Sequence, residues 1–272
     1  GMQYASQIAP MSSAPYTARW ALLLGADVPG GTQRCAIWSA RHTIPQADRS
    51  CHEGAEQLDC SFGEPRAQAA VVSLSDEGGA ALISGGLVDG KATGDLWLVS
   101  FDPTTREVRK EKLTYRLQAA RYAHSATSLG EGKVLIAGGA YVEKDASGQP
   151  RERLRTSLEI VDTVAKTVTS ISSGFGAVQH AVTVINGRVL LTGGTNSTRP
   201  ELPTATHTPS GQVWLFEAPN HVERLVDLPE PRYGHQAIRT RKGTLVVIGG
   251  YGPSKTLAPH LWELELPPKQ GF

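Results

Sequence analysis

The chain lacks three features that would each indicate a class of function: a long apolar run, a large net charge and helical periodicity. No stretch approaches the roughly 18 apolar residues that a membrane-spanning helix needs, so we expect no membrane insertion. The 27 basic and 26 acidic residues give a net charge of +1, and no chain-wide field attracts nucleic acid or acidic lipid. These absences favour a soluble all-β domain.

Motifs of well-known catalytic sites are missing as well. The sequence has no Gly-x-Ser-x-Gly elbow and no His-Glu-x-x-His helix, which are patterns of serine hydrolases and zinc proteases. Its glycine pairs lack the Gly-Lys-Ser/Thr ending of a phosphate-binding loop. The sequence therefore predicts no catalytic residue, no metal and no cofactor.

Glycine is abundant, and its spacing is regular. Four glycine doublets each follow a short apolar strand: Gly85-Gly86, Gly138-Gly139, Gly193-Gly194 and Gly249-Gly250. Their first glycines lie 53, 55 and 56 residues apart, which is typical of repeat architectures. Because a strand end packed against neighbouring backbone leaves no room for a Cβ, we predict a structural role for the doublets.

Each repeat contains short strands separated by tight turns. A second glycine lies six residues before each doublet and predicts a hairpin turn. Asn186-Gly187 is the strongest of these turns, because a type I′ turn needs positive φ at both central residues. A third strand follows each doublet and carries a tryptophan in three repeats, and a weaker fourth strand follows in three. Four strands in a repeat of about 50 residues predict a propeller blade.

Together these elements resemble the Kelch-repeat β-propeller family, to which the galactose oxidase propeller is similar. The family's blade opens with Arg-x-x-His, as in Arg121-Tyr122-Ala123-His124 and Pro231-Arg232-Tyr233-Gly234-His235. One other repeat keeps only His180, and another keeps only Pro65-Arg66. The resemblance covers residues 65–267 and implies four-stranded antiparallel blades. None of the three cysteines stands in the context that a copper enzyme like galactose oxidase requires.

We expect a single propeller over residues 1–272, with Gly1 as a tag remnant. The predicted blades are a degenerate one at 16–64, regular ones at 65–119, 120–175 and 176–230, and a closing one at 231–267. In the degenerate blade, Trp20 to Gly25 is predicted as the first strand and Cys35 to Ser39 as the second. The closing blade lacks a fourth strand, which residues 3–8 are predicted to supply, so that five blades close a ring. A fragment of a six- or seven-bladed ring is the alternative.

Three histidines, His124, His180 and His235, occupy equivalent positions of the repeats. Their spacings of 56 and 55 residues equal the repeat period. Three imidazoles could converge near the axis and bind a metal. In Kelch-like blades, however, this histidine belongs to the repeat pattern and its ring nitrogens satisfy backbone groups. We therefore predict structural roles for all three.

Two cysteines, Cys51 and Cys60, enclose a polar loop of eight residues. A disulfide between them would indicate a secreted or periplasmic protein, whereas two thiols would indicate a cytoplasmic one. A zinc site that also uses His52 is a third alternative, although no fourth ligand is evident. Cys35 lies on a predicted strand, where we expect a buried thiol.

The loops that differ between repeats are the predicted place of function. In an antiparallel blade, the connection after strand two and the connection between blades emerge on the same face. The loops at 140–156 and 195–212 are the longest, and arginine and tyrosine are prominent there and dominate binding hot spots. The predicted ligand-binding residues of this face are Arg121, Tyr122, Tyr141, Arg151, Arg153, Arg155, Arg199, His207, Arg232, Tyr233, Tyr251 and Lys255.

Two classes of function stay open. A monomeric, non-catalytic binding module would hold a peptide, an acidic motif or a glycan on the loop face, as the resemblance to Kelch interaction domains implies. An enzyme resembling the Kelch-type sialic acid mutarotase would instead carry out acid–base chemistry on a sugar in the central funnel. Glu143, Glu201 and Glu230 are the carboxylates placed to serve such an enzyme. We favour the binding module.

Overall fold

The computed structural model describes residues 66–74, 79–102, 105, 107–198 and 207–266, together with the backbones of four strands before residue 60. Every element in these residues is an antiparallel strand, which confirms the all-β prediction. Within the described ranges, no helix is long and apolar enough to cross a membrane. Several residues singled out from the sequence lie outside these ranges, among them Cys51, His52, Cys60, Pro65, Arg199 and Glu201, as does the side chain of Cys35.

The first sheet differs from the predicted degenerate blade. Its strands pair in chain order: β1 (Gln7–Pro10), β2 (Arg19–Leu24), β3 (Cys35–Ala40) and β4 (Ala55–Asp59). The apolar run predicted as the first strand is the second, because β1 pairs with it, and β4 lies in the predicted polar loop. Gln7 and Ile8, which were expected in the closing blade, face Leu24 and Leu23 of this sheet instead. A continuous apolar run suits an inner strand with a neighbour on both edges.

The second sheet repeats this meander. It consists of β5 (Ala70–Ser73), β6 (Ala80–Ser84), β9 (Leu96–Phe101) and β10 (Val108–Lys112), and a small hairpin of β7 (Leu87–Val88) and β8 (Lys91–Ala92) follows the doublet. The third sheet consists of β11 (Ser125–Gly130), β12 (Lys133–Ala137), β15 (Ser157–Asp162) and β16 (Thr167–Ser172). Its inserted hairpin, β13 (Ala140–Lys144) and β14 (Pro150–Leu154), replaces the loop predicted at 140–156.

Two further sheets complete the described elements. The fourth consists of β17 (Ala181–Ile185), β18 (Arg188–Thr192), β19 (Val213–Glu217) and β20 (His221–Arg224). The fifth consists of β21 (Gln236–Arg239), β22 (Leu245–Ile248) and β23 (Trp262–Leu264). The turn between β17 and β18 has φ of 54° at Asn186 and 77° at Gly187, which confirms the positive φ that a type I′ turn requires.

The described residues divide into two compact units. The first contains Tyr122 and the described residues before it, with Ala126–Ile136 and Glu159–Ser170. Its core is formed between the second and third sheets by Leu82, Leu96, Leu117, Val134, Ile136 and Val161. The second unit contains Ala123–Ser125, Ala137–Leu158 and the described residues from Ile171 onward. Its core is formed between the fourth and fifth sheets, and Leu190, Val213, Leu245 and Val247 are fully buried there.

Candidate functional site

The glycine doublets lie where one repeat meets the opening of the next. In three of the four doublets, the N–H of the second glycine donates to a carbonyl there, at 2.8, 2.9 and 2.8 Å: Gly86 to Arg121, Gly139 to Ala177 and Gly194 to Arg232. The first glycines Gly138 and Gly193 are equally confined, whereas a Cβ on Gly249 would meet no atom within 4 Å. A Cβ on Gly193 would lie 2.5 Å from the Arg232 carbonyl oxygen and 2.6 Å from Cε1 of His235. The first three doublets therefore occupy positions where a side chain would block contacts between repeats.

The repeat histidines are buried against hydroxyl groups. Nε2 of His180 lies 2.8 Å from Oγ of Ser125, and Nε2 of His235 lies 2.9 Å from Oγ1 of Thr192. Burial lowers the pKa of each ring to about 4, so both are neutral near pH 7. These partners are side chains of the preceding repeat, and His180 also interacts with the backbone of Ala177. In the part of the chain that the structure describes, no three His, Cys, Asp or Glu residues form a metal-binding group.

Four of the predicted ligand-binding residues are buried: Arg121, Tyr122, Arg232 and Tyr233. Nη2 of Arg121 lies 2.6 Å from Oε1 of Glu159, and both side chains are inaccessible to solvent. Nη1 of Arg232 donates to the backbone carbonyl oxygens of Gly249 and His260, at 3.1 and 3.0 Å. Both guanidinium groups stabilise the interior at a repeat opening. The sequence predicted them on the exposed loop face, but both are buried.

Glu159 occupies the position where the other repeats carry tryptophan. It faces Ile136 two residues before its doublet, as Trp97 faces Ile83 and Trp214 faces Leu191. Its carboxylate also accepts the backbone N–H groups of residues 118 and 119, at 2.6 and 3.1 Å. A buried carboxylate that is fully hydrogen-bonded is a structural partner of Arg121.

Two arginines of the predicted basic loop, Arg151 and Arg153, lie on β14, and Arg155 directly follows it. Each has a partner on β13 or in the turn that follows β13. Nε of Arg153 lies 2.6 Å from Oε1 of Glu143, and Nε of Arg151 lies 2.9 Å from Oδ2 of Asp145. The guanidinium carbon of Arg155 lies 3.6 Å from the ring centre of Tyr141. The hydroxyl of Ser147 and the guanidinium of Arg151 lower the pKa of Asp145 to about 2. Positive charge on this hairpin is therefore largely compensated within it.

An aromatic stack crosses the loop end of the second unit. The rings of Tyr233 and Tyr251 lie 5.7 Å apart with an interplanar angle of 29°, and His207 meets Tyr233 edge-on at 5.5 Å. The two tyrosines also exchange backbone hydrogen bonds at 3.1 and 2.9 Å, which fixes the ring positions. Tyr233 is buried, whereas Tyr251 is 43% exposed. The half-buried Lys255 lies in the same loop, in a turn closed onto Gly252.

A carboxylate–imidazole pair lies at the same repeat opening as Arg232. Oε1 of Glu230 lies 2.6 Å from Nδ1 of His260, and Oε2 lies 3.0 Å from Nη2 of Arg232. The sequence singled out Glu230, but it gave no reason to pair it with His260, 30 residues further along the chain. The exposure of the pair contrasts with the burial of Arg121 and Glu159.

Comparison with known proteins adds no family to this description. No model of a known protein family matches the chain, and no curated protein sequence matches it.

Proposed function

We propose that the chain is a five-bladed Kelch-like β-propeller whose blades are the five sheets of three or four strands. The repeated hydrogen bond from a doublet to the next repeat supports this, as do the cores between consecutive sheets. A closed ring of this length has an expected radius of gyration of about 18 Å, by the size scaling of compact domains. Small-angle X-ray scattering tests it, and a clearly larger radius would contradict closure.

Within this fold, we propose a binding module that uses the loop end of the last repeat. The observation that carries the proposal is the exposed ring of Tyr251, held in place by stacking on the buried Tyr233. Leu257 and Leu261, in the same connection, are 70% and 58% exposed. Rigid aromatic rings with exposed apolar neighbours are typical of binding hot spots, because little side-chain entropy is lost on contact.

A glycan is the ligand class that this surface suits best. The apolar face of a sugar ring packs well on an exposed tyrosine, and its hydroxyl groups can bond to nearby polar groups. An acidic motif suits it less well, because the guanidinium groups of Arg151 and Arg153 already bind carboxylates of their own hairpin. Recognition of an acidic motif relies on arginine forks that are available to the ligand.

A glycan and peptide array on the purified domain tests the proposal, followed by calorimetric titration of the best ligand. We expect Tyr251→Ala to weaken glycan binding by about 30-fold, the effect of a hot-spot residue worth roughly 2 kcal/mol. Tyr141→Ala is the matched control, because this tyrosine packs on Arg155 of the hairpin and should leave affinity unchanged. Binding that survives Tyr251→Ala but is lost when Arg151, Arg153 and Arg155 become alanine would assign the ligand to the hairpin instead.

A further inference from the structure

We propose that Glu230 and His260 form a general-base site that activates water for hydrolysis of a small ester. His260 is the proposed catalytic residue, and Glu230 is its positioning residue. The inference concerns an activity and rests on Glu230 and His260 and not on Tyr251, so either proposal can fail without the other, although Leu261 borders both sites.

The pair is held in place from the interior. Arg232, which is fully buried, binds Glu230 through Nη2 at 3.0 Å and the His260 backbone carbonyl through Nη1 at 3.0 Å. One guanidinium group thus fixes both the carboxylate and the backbone that carries the imidazole. The 2.6 Å hydrogen bond between Glu230 and Nδ1 of His260 then sets the orientation of the ring.

The hydrogen bond at Nδ1 leaves Nε2 as the candidate reactive nitrogen. Because an ionised carboxylate only accepts, the neutral imidazole donates from Nδ1 and keeps its lone pair on Nε2. The His260 side chain is 62% exposed, and no partner of Nε2 occurs among the described residues. A carboxylate on one nitrogen and an accessible lone pair on the other is the arrangement of an imidazole general base.

Other ion pairs of the chain show what is particular to this one. Arg121 has its carboxylate partner, Glu159, inside the core, where no substrate reaches it. The carboxylate partner of Arg232, Glu230, lies in the connection between sheets and is 37% exposed. One of its oxygens contacts Arg232, and the other contacts His260. Leu261, next to His260 in the chain, is 58% exposed and offers contact to an apolar acyl or aryl group.

The proposed step needs only water as co-reactant. Nε2 of His260 takes a proton from water while the water oxygen forms a bond to the ester carbonyl carbon. The bond between that carbon and the alcohol oxygen breaks, the alcohol leaves with the proton that Nε2 returns, and the acid product releases its own proton to solvent. Glu230 stabilises the transient imidazolium and is not itself protonated.

The test measures hydrolysis of 4-nitrophenyl acetate by the purified protein, by release of nitrophenolate. We expect His260→Asn to lower the protein-dependent rate by about tenfold or more, since a positioned general base contributes roughly 10²–10⁴-fold. Glu230→Gln, which keeps an acceptor for Arg232, should lower it by about threefold or more through the same positioning effect. His221→Asn is the matched control, because His221 is also exposed beside a glutamate, Glu223, but at 3.7 Å.

A spectroscopic readout separates positioning from mere structural support. In 15N spectra of the folded wild-type protein at neutral pH, His260 should be the tautomer protonated at Nδ1, and Glu230→Gln should reduce that population. The proposal is overturned if His221→Asn lowers the rate as much as His260→Asn. It is also overturned if a folded Glu230→Gln protein keeps the full rate, or if the wild-type imidazole carries its proton on Nε2.

Discussion

Nε2 of His180 lies 2.8 Å from Oγ of Ser125, a residue of the preceding repeat. The equivalent histidine of the next repeat, His235, makes the same contact with Thr192, but the hydroxyl has a different origin. Thr192 precedes its doublet directly, whereas Ser125 begins the neighbouring strand and lies across from Ala137, which precedes the doublet of its own repeat. In both repeats a hydroxyl group therefore lies beside the histidine ring, but it comes from the first strand in one repeat and from the second strand in the other.

Acid should destabilise the protein through these histidines. The pKa of His180 is lowered from 6.5 to about 4 on folding, so the unfolded chain binds more protons between these values. The free energy of unfolding therefore falls as pH drops below 6.5 and levels off below about 4, with a maximum loss of roughly 3 kcal/mol. Urea unfolding at several pH values measures this. In His180→Gln the slope over this range should shrink, and an unchanged slope would contradict the prediction.

A hydroxyl introduced at residue 137 should restore the stability that is lost when the Ser125 hydroxyl is removed. Ser125→Ala leaves Nε2 of the buried His180 without its partner, and we expect a loss of about 1–3 kcal/mol in unfolding free energy. Adding Ala137→Ser to this variant places a hydroxyl where Thr192 has one, and should recover most of the loss. Thermal and urea unfolding measure both changes. Ser170→Ala, on the exposed side of β16, is the control, and equal losses at both serines would refute the role of the contact.

The strands and turns were predictable because their signals are local. The hairpin of β13 and β14 was predicted as a loop, since its residues alternate in charge and polarity more than in hydrophobicity. Its stability depends on cross-strand pairs such as Glu143 with Arg153, which one strand's composition does not reveal. The pairing of Glu230 with His260 was also hidden, because 30 residues separate them. Glu159 did leave a signal, as the only departure from tryptophan at its repeat position.

Removal of the buried Glu159 carboxylate should lower the unfolding free energy far more than removal of an exposed carboxylate. Glu159→Ala leaves the buried Arg121 without its anionic partner, and we expect a loss of about 3–5 kcal/mol in unfolding free energy. Arg121→Leu combined with Glu159→Trp, the residue of the other repeats, should lose less than the single variant. Glu107→Ala breaks the exposed pair with Arg109 and should lower the unfolding free energy far less, because solvent screens this pair. Equal losses for the two single variants in urea unfolding would contradict burial of the pair.

A comparison of alanine substitutions at Gly193 and Gly249 distinguishes steric clash from backbone strain, because these two glycines have similar backbone angles. Gly193 and Gly249 have φ of +59° and +67°, so alanine at either position carries left-handed strain of about 1–2 kcal/mol. A Cβ at Gly193 would also lie 2.5 Å from the Arg232 carbonyl oxygen, whereas a Cβ at Gly249 would meet no atom within 4 Å. Gly193→Ala should therefore lower the unfolding free energy by at least about 1–3 kcal/mol more than Gly249→Ala, as overpacking does. Equal losses in urea unfolding would show that backbone conformation alone requires these glycines.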